Sequence, residues 1–503
     1  MTQLLHGFDD PIPGPHGLDR GRATSSASVQ AHRRALATIL DRDRWPDRTG
    51  GGGDGVLYCG GGKFWPGIVI GCRLLREAGY SGAIEVWHRG EAEPVHPADV
   101  ADLNVHIIDS RALADRLGDA RVLNGWESKH YALTHTTLDR VAYLDADAYG
   151  VTDLQPLIEK SAGKFAFWID LPGNDRTVKW PNVWPAGSGG VPAIQGGQLF
   201  LDLAACWRQV VLSHWMNQHS DFYYHHGYGD QDTWRMAFAS LPGPLLCFGH
   251  ATWRYPAFVC QVDGRDWIVH RCRGKLFRPE DSPAGSRNVS HAPARHLPKE
   301  DRVWELLVRQ FGDRASADVF PAMYRRNVWG RGSGMGSVGP DAQDYGWLIN
   351  TLATVGGWRS ATDAGCGDGE ILARLAFERY HGVDVYDGVI EANRRRFPDR
   401  TFAVADFYRD RDALPPADVL LCRDVLHHWP NAMVTDFVTW ARSSGRWPWL
   451  CFTQDVHQQA DGDDTFLGGY RPLHPDMEPL KSLAPTRFVK IRDKTAVIWQ
   501  CPR

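Results

Sequence analysis

The stretch Val141-Ala-Tyr-Leu-Asp-Ala-Asp-Ala-Tyr149 reads as an apolar strand ending in two carboxylates, Asp145 and Asp147, one residue apart. In an extended chain residues i and i+2 point to the same side, so both carboxylates face one divalent ion at the strand's C-terminal end. A helix-like run, Trp126-Glu-Ser-Lys-His-Tyr-Ala-Leu133, precedes the strand. That setting lifts the pair above the D-x-D spacings that a chain with 60 acidic residues produces by chance. An ion held there clamps a diphosphate, and neutralising a departing nucleoside diphosphate is the central demand of nucleotide-sugar transfer.

Towards the N-terminus the pattern is strand, turn, helix, strand: Val56–Cys59, the glycine-rich Gly60–Gly67, a helical spacing over Ile68–Ala78, then Ala83–Trp87. This βαβ start with short loops predicts a parallel sheet covered by helices. Its first turn lies where open α/β sheets bind nucleotides, although a tight turn explains the glycines equally well. Ahead of it, a helix is expected over Ser28–Leu40, followed by Gly50–Gly53 as a tether. Further strands fit Val105–Ile108, Lys164–Trp168, Ala193–Asp202 and Trp267–His270, with a Trp- and His-rich helix after Asp202. His270 ends its strand just before Gly274-Lys275. An imidazole supplies a third metal ligand and a Gly-Lys turn holds a diphosphate, but spacing alone also allows a surface or internally satisfied histidine.

Between Arg278 and Lys299 apolar periodicity gives way to Pro, Ser, Ala, Gly and His, which marks a linker; a short helix is expected over Asp301–Phe311. The second half carries Trp329-Gly-Arg-Gly-Ser-Gly-Met-Gly-Ser337, either a flexible linker or an ordered loop over a ligand, then a helix over Ala342–Leu352. Ser360-Ala-Thr-Asp-Ala-Gly-Cys-Gly-Asp-Gly369 follows, a short strand leading through glycines into an expected helix over Glu370–Ala376. Tyr380-His-Gly-Val-Asp384 is a second strand, ending in an acid about twenty residues on, where Rossmann-like sheets hydrogen-bond ribose hydroxyls.

The chain's 503 residues exceed what one core usually covers, so two domains are expected. A net charge of −4 gives no footprint for nucleic acid. Ten cysteines without a C-x-x-C pair argue against a zinc ribbon or a disulfide framework and for a reducing, cytoplasmic setting. No apolar run reaches the length of a membrane span, which leaves peripheral membrane contact. The 21 tryptophans fill cores first, and they also stack on the apolar faces of sugar rings. Oligomeric state is not legible.

Five motifs in family order, Trp126–Leu133, Tyr143–Asp147, Gln195–Asp202, Gly229–Trp234 and His270–Lys275, resemble the GT-A glycosyltransferases over residues 55–278. Within these, the likeness is to the fungal Golgi-type α-mannosyltransferases and their glycogenin-like relatives. The resemblance implies Asp145, Asp147 and His270 as ligands of Mn2+ or Mg2+, Lys129 near the nucleotide, Lys275 on the diphosphate, and Gly196 and Gly197 beside the donor sugar. It places Asp230, Gln231 and Asp232 in a loop near that sugar, with Gln231 and Asp232 orienting or stabilising the reacting group. It also implies a nucleotide-sugar donor, a glycan or glycolipid acceptor and retention of configuration.

Residues 324–503 resemble class I S-adenosylmethionine-dependent methyltransferases, through Asp363-Ala-Gly-Cys-Gly-Asp368, Asp384, Ala405-Asp-Phe407 and Ala417–Trp429. With the Trp329–Ser337 stretch they are similar to a bacterial small-molecule subgroup in which that stretch closes over cofactor or substrate. The resemblance implies that Asp363, Gly365, Gly367, Asp384 and Asp406 bind S-adenosylmethionine, Asp384 at the ribose and Asp406 at the adenine amine. His427 and His428 are candidate bases for the acceptor hydroxyl, Arg423 and Asp424 weaker ones, and Arg471 a candidate wall of the acceptor pocket.

The expected fold class is α/β, with two Rossmann-like domains, an N-terminal GT-A fold and a C-terminal class I methyltransferase fold. The expected division is an extension over 1–54, a glycosyltransferase domain over 55–278, a linker with a short helix over 279–320 and a methyltransferase domain over 321–503. A decayed, glycan-binding first domain beside a methyltransferase for a non-sugar substrate is the alternative.

Overall fold

The computed structural model describes residues 20–117, 125–171, 173–282, 293–312, 314–455, 464–492 and 494–502. The chain forms two compact units, one of residues 1–276 with 294–303, the other of 277–293 with 304–503. Part of the expected linker, 283–292, lies outside the described residues.

Eleven strands are described in the first unit: β1 Asp54–Cys59, β2 Ala83–His88, β3 Val105–Asp109, β4 Arg140–Asp145, β5 Ala148–Gly150, β6 Phe165–Ile169, β7 Ile194–Asp202, β8 Leu245–His250, β9 Thr252–Arg254, β10 Ala257–Val262 and β11 Arg265–His270. They make a seven-stranded sheet ordered β3-β2-β1-β4-β7-β6-β8 and a four-stranded sheet ordered β5-β11-β10-β9. β1 to β4 pair in parallel, and β7 runs antiparallel to both β4 and β6. Parallel strands covered by helices on both faces are buried throughout, and Val56–Tyr58 and Val141–Leu144 are accordingly almost fully buried.

The two acids do not share one strand. β4 ends at Asp145, the chain turns at Ala146-Asp147, and β5 starts the second sheet at Ala148. Helix Trp65–Glu77 forces this turn by packing on it: a Cβ on Gly67 would sit 2.6 Å from the Ala146 carbonyl oxygen. The Asp-Ala-Asp segment thus hinges two sheets rather than prolonging one.

The expected N-terminal tether is structured where it is described. Helix Ser26–Leu40 buries Val29, Leu36 and Ile39 against Val183, Val211 and Trp215. The Gly50–Gly53 run is pinned as well, since Gly51 and Gly53 donate to the Asp139 carboxylate and Gly52 to the Thr137 carbonyl.

In the second unit β12 Ser360–Ala364, β13 Arg379–Asp384, β14 Thr401–Val404, β15 Val419–Arg423, β16 Trp449–Asp455, β17 Arg487–Ile491 and β18 Lys494–Gln500 form one sheet, ordered β14-β13-β12-β15-β16-β18-β17. Five strands are parallel, and β18 lies antiparallel between β16 and β17. The chain order reverses beside β12, so the ends of β12 and β15 frame a crevice of the kind in which open α/β sheets bind ligands. The helix expected over Glu370–Ala376 is instead a short 3-10 turn, Leu372–Arg374. Asn350, from helix Gly339–Gly356, takes over its backbone groups by donating to the Arg374 carbonyl and accepting from the Ala376 N–H.

Candidate functional sites

In the first unit Asp145 and Asp147 meet His270, 123 residues beyond Asp147, with one ligand atom from each lying within 4.8 Å of the others. His270 Nε2 is 3.2 Å from Asp147 Oδ1 and 3.7 Å from Asp145 Oδ2. Strand pairing brings them together, because His270 lies opposite Ala148 across β11 and β5 and the Arg271 N–H donates to the Asp147 carbonyl. Two carboxylate oxygens and an imidazole nitrogen suit a divalent ion such as Mn2+. Tyr143 fixes the outer carboxylate by donating to Asp145 Oδ1 at 2.6 Å.

Gly197 makes room for the imidazole. A Cβ there would lie 2.2 Å from His270 Cε1, 2.4 Å from Nδ1 and 3.0 Å from Asp145 Oδ2. Gly196 does the same for the neighbouring helix, where a Cβ would lie 2.7 Å from Gln231 Cβ. Gly197 of β7 therefore lines the triad with bare backbone, and Gly196 the helix beside it.

Two ammonium groups balance the acids. Lys129 is buried, donates to the Gly196 carbonyl at 2.7 Å and pairs with Asp230 at 2.5 Å and Asp145 at 3.3 Å. Burial disfavours its charge, but Asp145 and Asp230 outweigh that and hold its pKa above the ordinary lysine range. Lys275 pairs with Asp147. Burial of Asp147 opposes ionisation, and the Lys275 and His270 charges reverse this, holding its pKa below the usual carboxylate range. The turn bearing Lys275 is braced by buried Arg271, which pairs with Glu300 and donates to the Gly274 carbonyl at 2.7 Å.

The 230–232 segment is not a loop. Gly229, at φ +67°, ends the preceding chain, and helix Asp230–Ser240 starts with its acids at the electropositive end. Gln231 donates to Asp170 at 3.1 Å beside Gly196. Asp232 points away from the triad: it is 1% exposed and accepts from Thr177 at 2.6 Å, the Tyr228 N–H at 2.7 Å and Arg235 at 3.2 Å. It stiffens the helix start. Asp230, by contrast, reaches the site through Lys129.

The second unit contains a cavity of about 530 Å³ at the ends of β12, β13 and β15. Asp363, Gly365, Gly367, Asp384, Asp406, His427 and His428 all line it. Gly365 has φ +79°, and a Cβ there would strike Val425 at 2.4 Å, so the turn after β12 needs glycine twice over. Asp384 accepts from the N–H groups of Gly367 and Tyr386, each at 3.0 Å. Burial still lifts its pKa to about 6, partly offset by those bonds. Asp363 is lifted to about 6 by the same cause, against the hydrogen bond from Tyr380 at 2.6 Å. Buried Asp406 Oδ2 has no hydrogen-bond partner among the described residues and faces the Arg409 guanidinium at 4.0 Å.

The Trp329–Ser337 stretch folds over the glycine turn. Ser333 accepts from the Asp368 N–H at 2.9 Å while its own N–H donates to the Asp368 carboxylate at 3.0 Å, and Arg423 donates to the Gly336 carbonyl at 2.6 Å. The two histidines differ. His427 is 3% exposed, and burial lowers its pKa to about 3 despite Asp455. His428 is half-buried, with Nδ1 2.6 Å from the Gly469 carbonyl oxygen, a contact that places the proton on Nδ1 and the lone pair on Nε2.

Arg471 does not wall the cavity. It is buried and donates to Asn431 and to the carbonyls of Leu426 and His427, which fixes the His427–His428 turn. Tyr470 lines the cavity in its place, beside a cluster in which Lys494 bridges Asp424, at 2.8 Å, and Asp455, at 2.5 Å. Sequence reading passed over Asp455 and Lys494, although a lysine opening the apolar strand Lys494–Gln500 was a visible signal.

Residues 362–444 match a family model described as "Methyltransferase domain". A 171-residue stretch is 23% identical to the alpha-1,2-mannosyltransferase MNN24 of Candida albicans (strain SC5314 / ATCC MYA-2876), covering 32% of this chain but only 22% of that relative's length. Among solved structures, the methyltransferase domain of bacterial CtHen1 aligns at 17% identity and a TM-score of 0.26 over 32% of this chain and 98% of that one. The galactosyltransferase LgtC, in complex with donor and acceptor sugar analogs, aligns at 16% identity and a TM-score of 0.29 over 38% of this chain and 72% of that one. Among the described residues no helix is long and apolar enough to cross a membrane. The chain thus carries a methyltransferase domain in its second unit, and a further stretch of it is similar to part of a mannosyltransferase.

Proposed function

We propose that the chain is a bifunctional transferase: the first unit moves a hexose from a nucleotide sugar to a glycan or glycolipid acceptor with retention of configuration, and the second methylates a sugar hydroxyl. The observation that carries the first half is the convergence of Asp145, Asp147 and His270 beside the bare backbone of Gly197. A divalent ion held by these three residues, Mn2+ or Mg2+, supplies positive charge for the departing diphosphate. Lys275, paired with Asp147, would be the cation for the diphosphate, and Lys129 keeps Asp145 and Asp230 in place. Gln231 orients the sugar hydroxyls.

In the second unit Asp363, Asp384, Asp406, Gly365 and Gly367 would hold S-adenosylmethionine, Asp384 accepting from the ribose hydroxyls, Asp406 from the adenine amine, and the two glycines leaving room for it at the backbone. The cofactor supplies a methyl group already activated by its sulfonium. His428 Nε2 removes the proton of the acceptor hydroxyl. One chain holding both activities raises the local concentration of a shared intermediate.

Purified protein incubated with Mn2+, a panel of GDP- and UDP-hexoses, oligosaccharide acceptors and labelled S-adenosylmethionine tests this. The expected result is methyl incorporation that depends on prior sugar addition. Methylation unaffected by any sugar refutes the coupling. The pairing of both carboxylates with ammonium groups favours one other reading, a glycan-binding first unit without turnover beside a methyltransferase for a non-sugar substrate. Absence of Mn2+-dependent donor hydrolysis would select it.

A further inference from the structure

The four-stranded sheet carries one row of side chains from the triad to solvent. Across antiparallel strands, residues directly opposite each other project from the same face. His270 of β11 lies opposite Phe258 of β10, and Phe258 opposite Trp253 of β9. The rings follow in step, with Phe258 6.4 Å from His270 and 4.8 Å from Trp253 between centroids. Phe258 is 7% exposed and closes the middle of the row.

The outer end is open and aromatic. Trp253 is 37% exposed and Tyr255 58%, with their ring centroids 6.3 Å apart. The exposed Arg273 holds its guanidinium 5.6 Å from the Trp253 ring centre. Large aromatics exposed on an edge strand, like Trp253, or in the turn after it, like Tyr255, cost solubility, and the core of the unit does not use these two. A half-exposed indole with a guanidinium over its ring has the chemistry of a pyranose subsite: the apolar face of the sugar stacks on the indole, and the sugar hydroxyls accept from the guanidinium.

We infer that Trp253, Tyr255 and Arg273 form the subsite for a pyranose ring of the glycan acceptor, at the solvent end of the row that starts at His270. This rests on the glycosyl-transfer reading for the identity of the triad, and it adds where the acceptor lies and what recognises it. A sugar on Trp253 is separated from the imidazole by the Phe258 ring, one step further out along the row.

The test uses the full chain and a panel of manno-, gluco- and galacto-oligosaccharides, followed by saturation-transfer NMR, with Mn2+ and nucleoside diphosphate binding measured in parallel. Wild-type protein is expected to give a transfer signal with at least one oligosaccharide series, weakened at least fivefold in Trp253→Ala and partly restored in Trp253→Phe. Arg273→Ala is expected to weaken it less. Mn2+ and nucleotide affinity should stay within twofold of wild type in all three, which also reports an intact fold. Oligosaccharides that bind Trp253→Ala as well as wild type, or bind neither, overturn the inference. Loss of nucleotide binding in wild type, with oligosaccharide binding still dependent on Trp253, sinks the transferase reading and leaves the subsite standing.

Discussion

Replacing Gly197 by alanine probes the triad without removing any ligand. The new methyl carbon would start 2.2 Å from His270 Cε1 and 3.0 Å from Asp145 Oδ2. Non-bonded carbon contacts settle at about 3.5 Å or beyond, so the imidazole must retreat by more than about 1 Å. Metal–ligand distances tolerate only about 0.2 Å, so the three ligands cannot then close on one ion. Misplacement on this scale costs on the order of 100-fold, or about 2.8 kcal/mol of binding. Overpacking should cost about 1–3 kcal/mol of stability, within reach of a thermal melt. The assay is an electron-paramagnetic-resonance titration of Mn2+ with GDP or UDP present, on wild type and Gly197→Ala. Mn2+ affinity within twofold of wild type, in a variant that melts cooperatively, would refute the geometry.

Other outcomes follow from the second unit. Asp363 and Asp384 have folded pKa values raised to about 6, so the stability they contribute is fully present below about pH 4 and is lost as pH rises through 6. Ribose hydroxyls donate to the ionised form of Asp384, so S-adenosylmethionine affinity should weaken up to tenfold per unit as pH falls below 6, as read by calorimetry between pH 5 and 8. Gly365→Ala forces a left-handed alanine against Val425 and should cost more than about 2 kcal/mol, abolishing cofactor binding while Mn2+ binding by the first unit persists. His428→Ala should lower methyl transfer on the order of 100-fold or more with cofactor affinity unchanged. His427→Ala should chiefly lower the melting temperature, since that imidazole is buried and its pKa is held near 3.

The parallel strands were legible because burial on both faces leaves unbroken apolar runs, as at Val56–Cys59 and Val141–Leu144. β8 to β10 were not: Leu245–Val262 mixes glycine, proline, arginine and half-exposed aromatics, and β8 takes its register from β6 far back along the chain. The Asp145–Asp147 pair was read as one strand because alternation cannot show a helix pressing a turn into the chain. The resemblance to GT-A glycosyltransferases put His270 beside the acids where spacing alone left it open, yet it could not reveal that Asp232 spends its oxygens on Thr177, Tyr228 and Arg235. A carboxylate one position from Gln231 lies on another face of the helix, and only the packed helix tells which face meets the site. The Lys494 bridge between Asp424 and Asp455 needed the β16–β18 register, which sets Lys494 directly opposite Asp455.

The account turns on a divalent ion shared by two sheets of the first unit. Crystals grown with MnCl2 and GDP or UDP, and measured for anomalous scattering at the manganese edge, address this directly. One anomalous peak at ligand distance from Asp145, Asp147 and His270 together, with Lys275 swung from Asp147 to a phosphate oxygen, is the predicted result. Bound nucleotide without such a peak, and with Lys129 and Lys275 still seated on the two carboxylates, would contradict it.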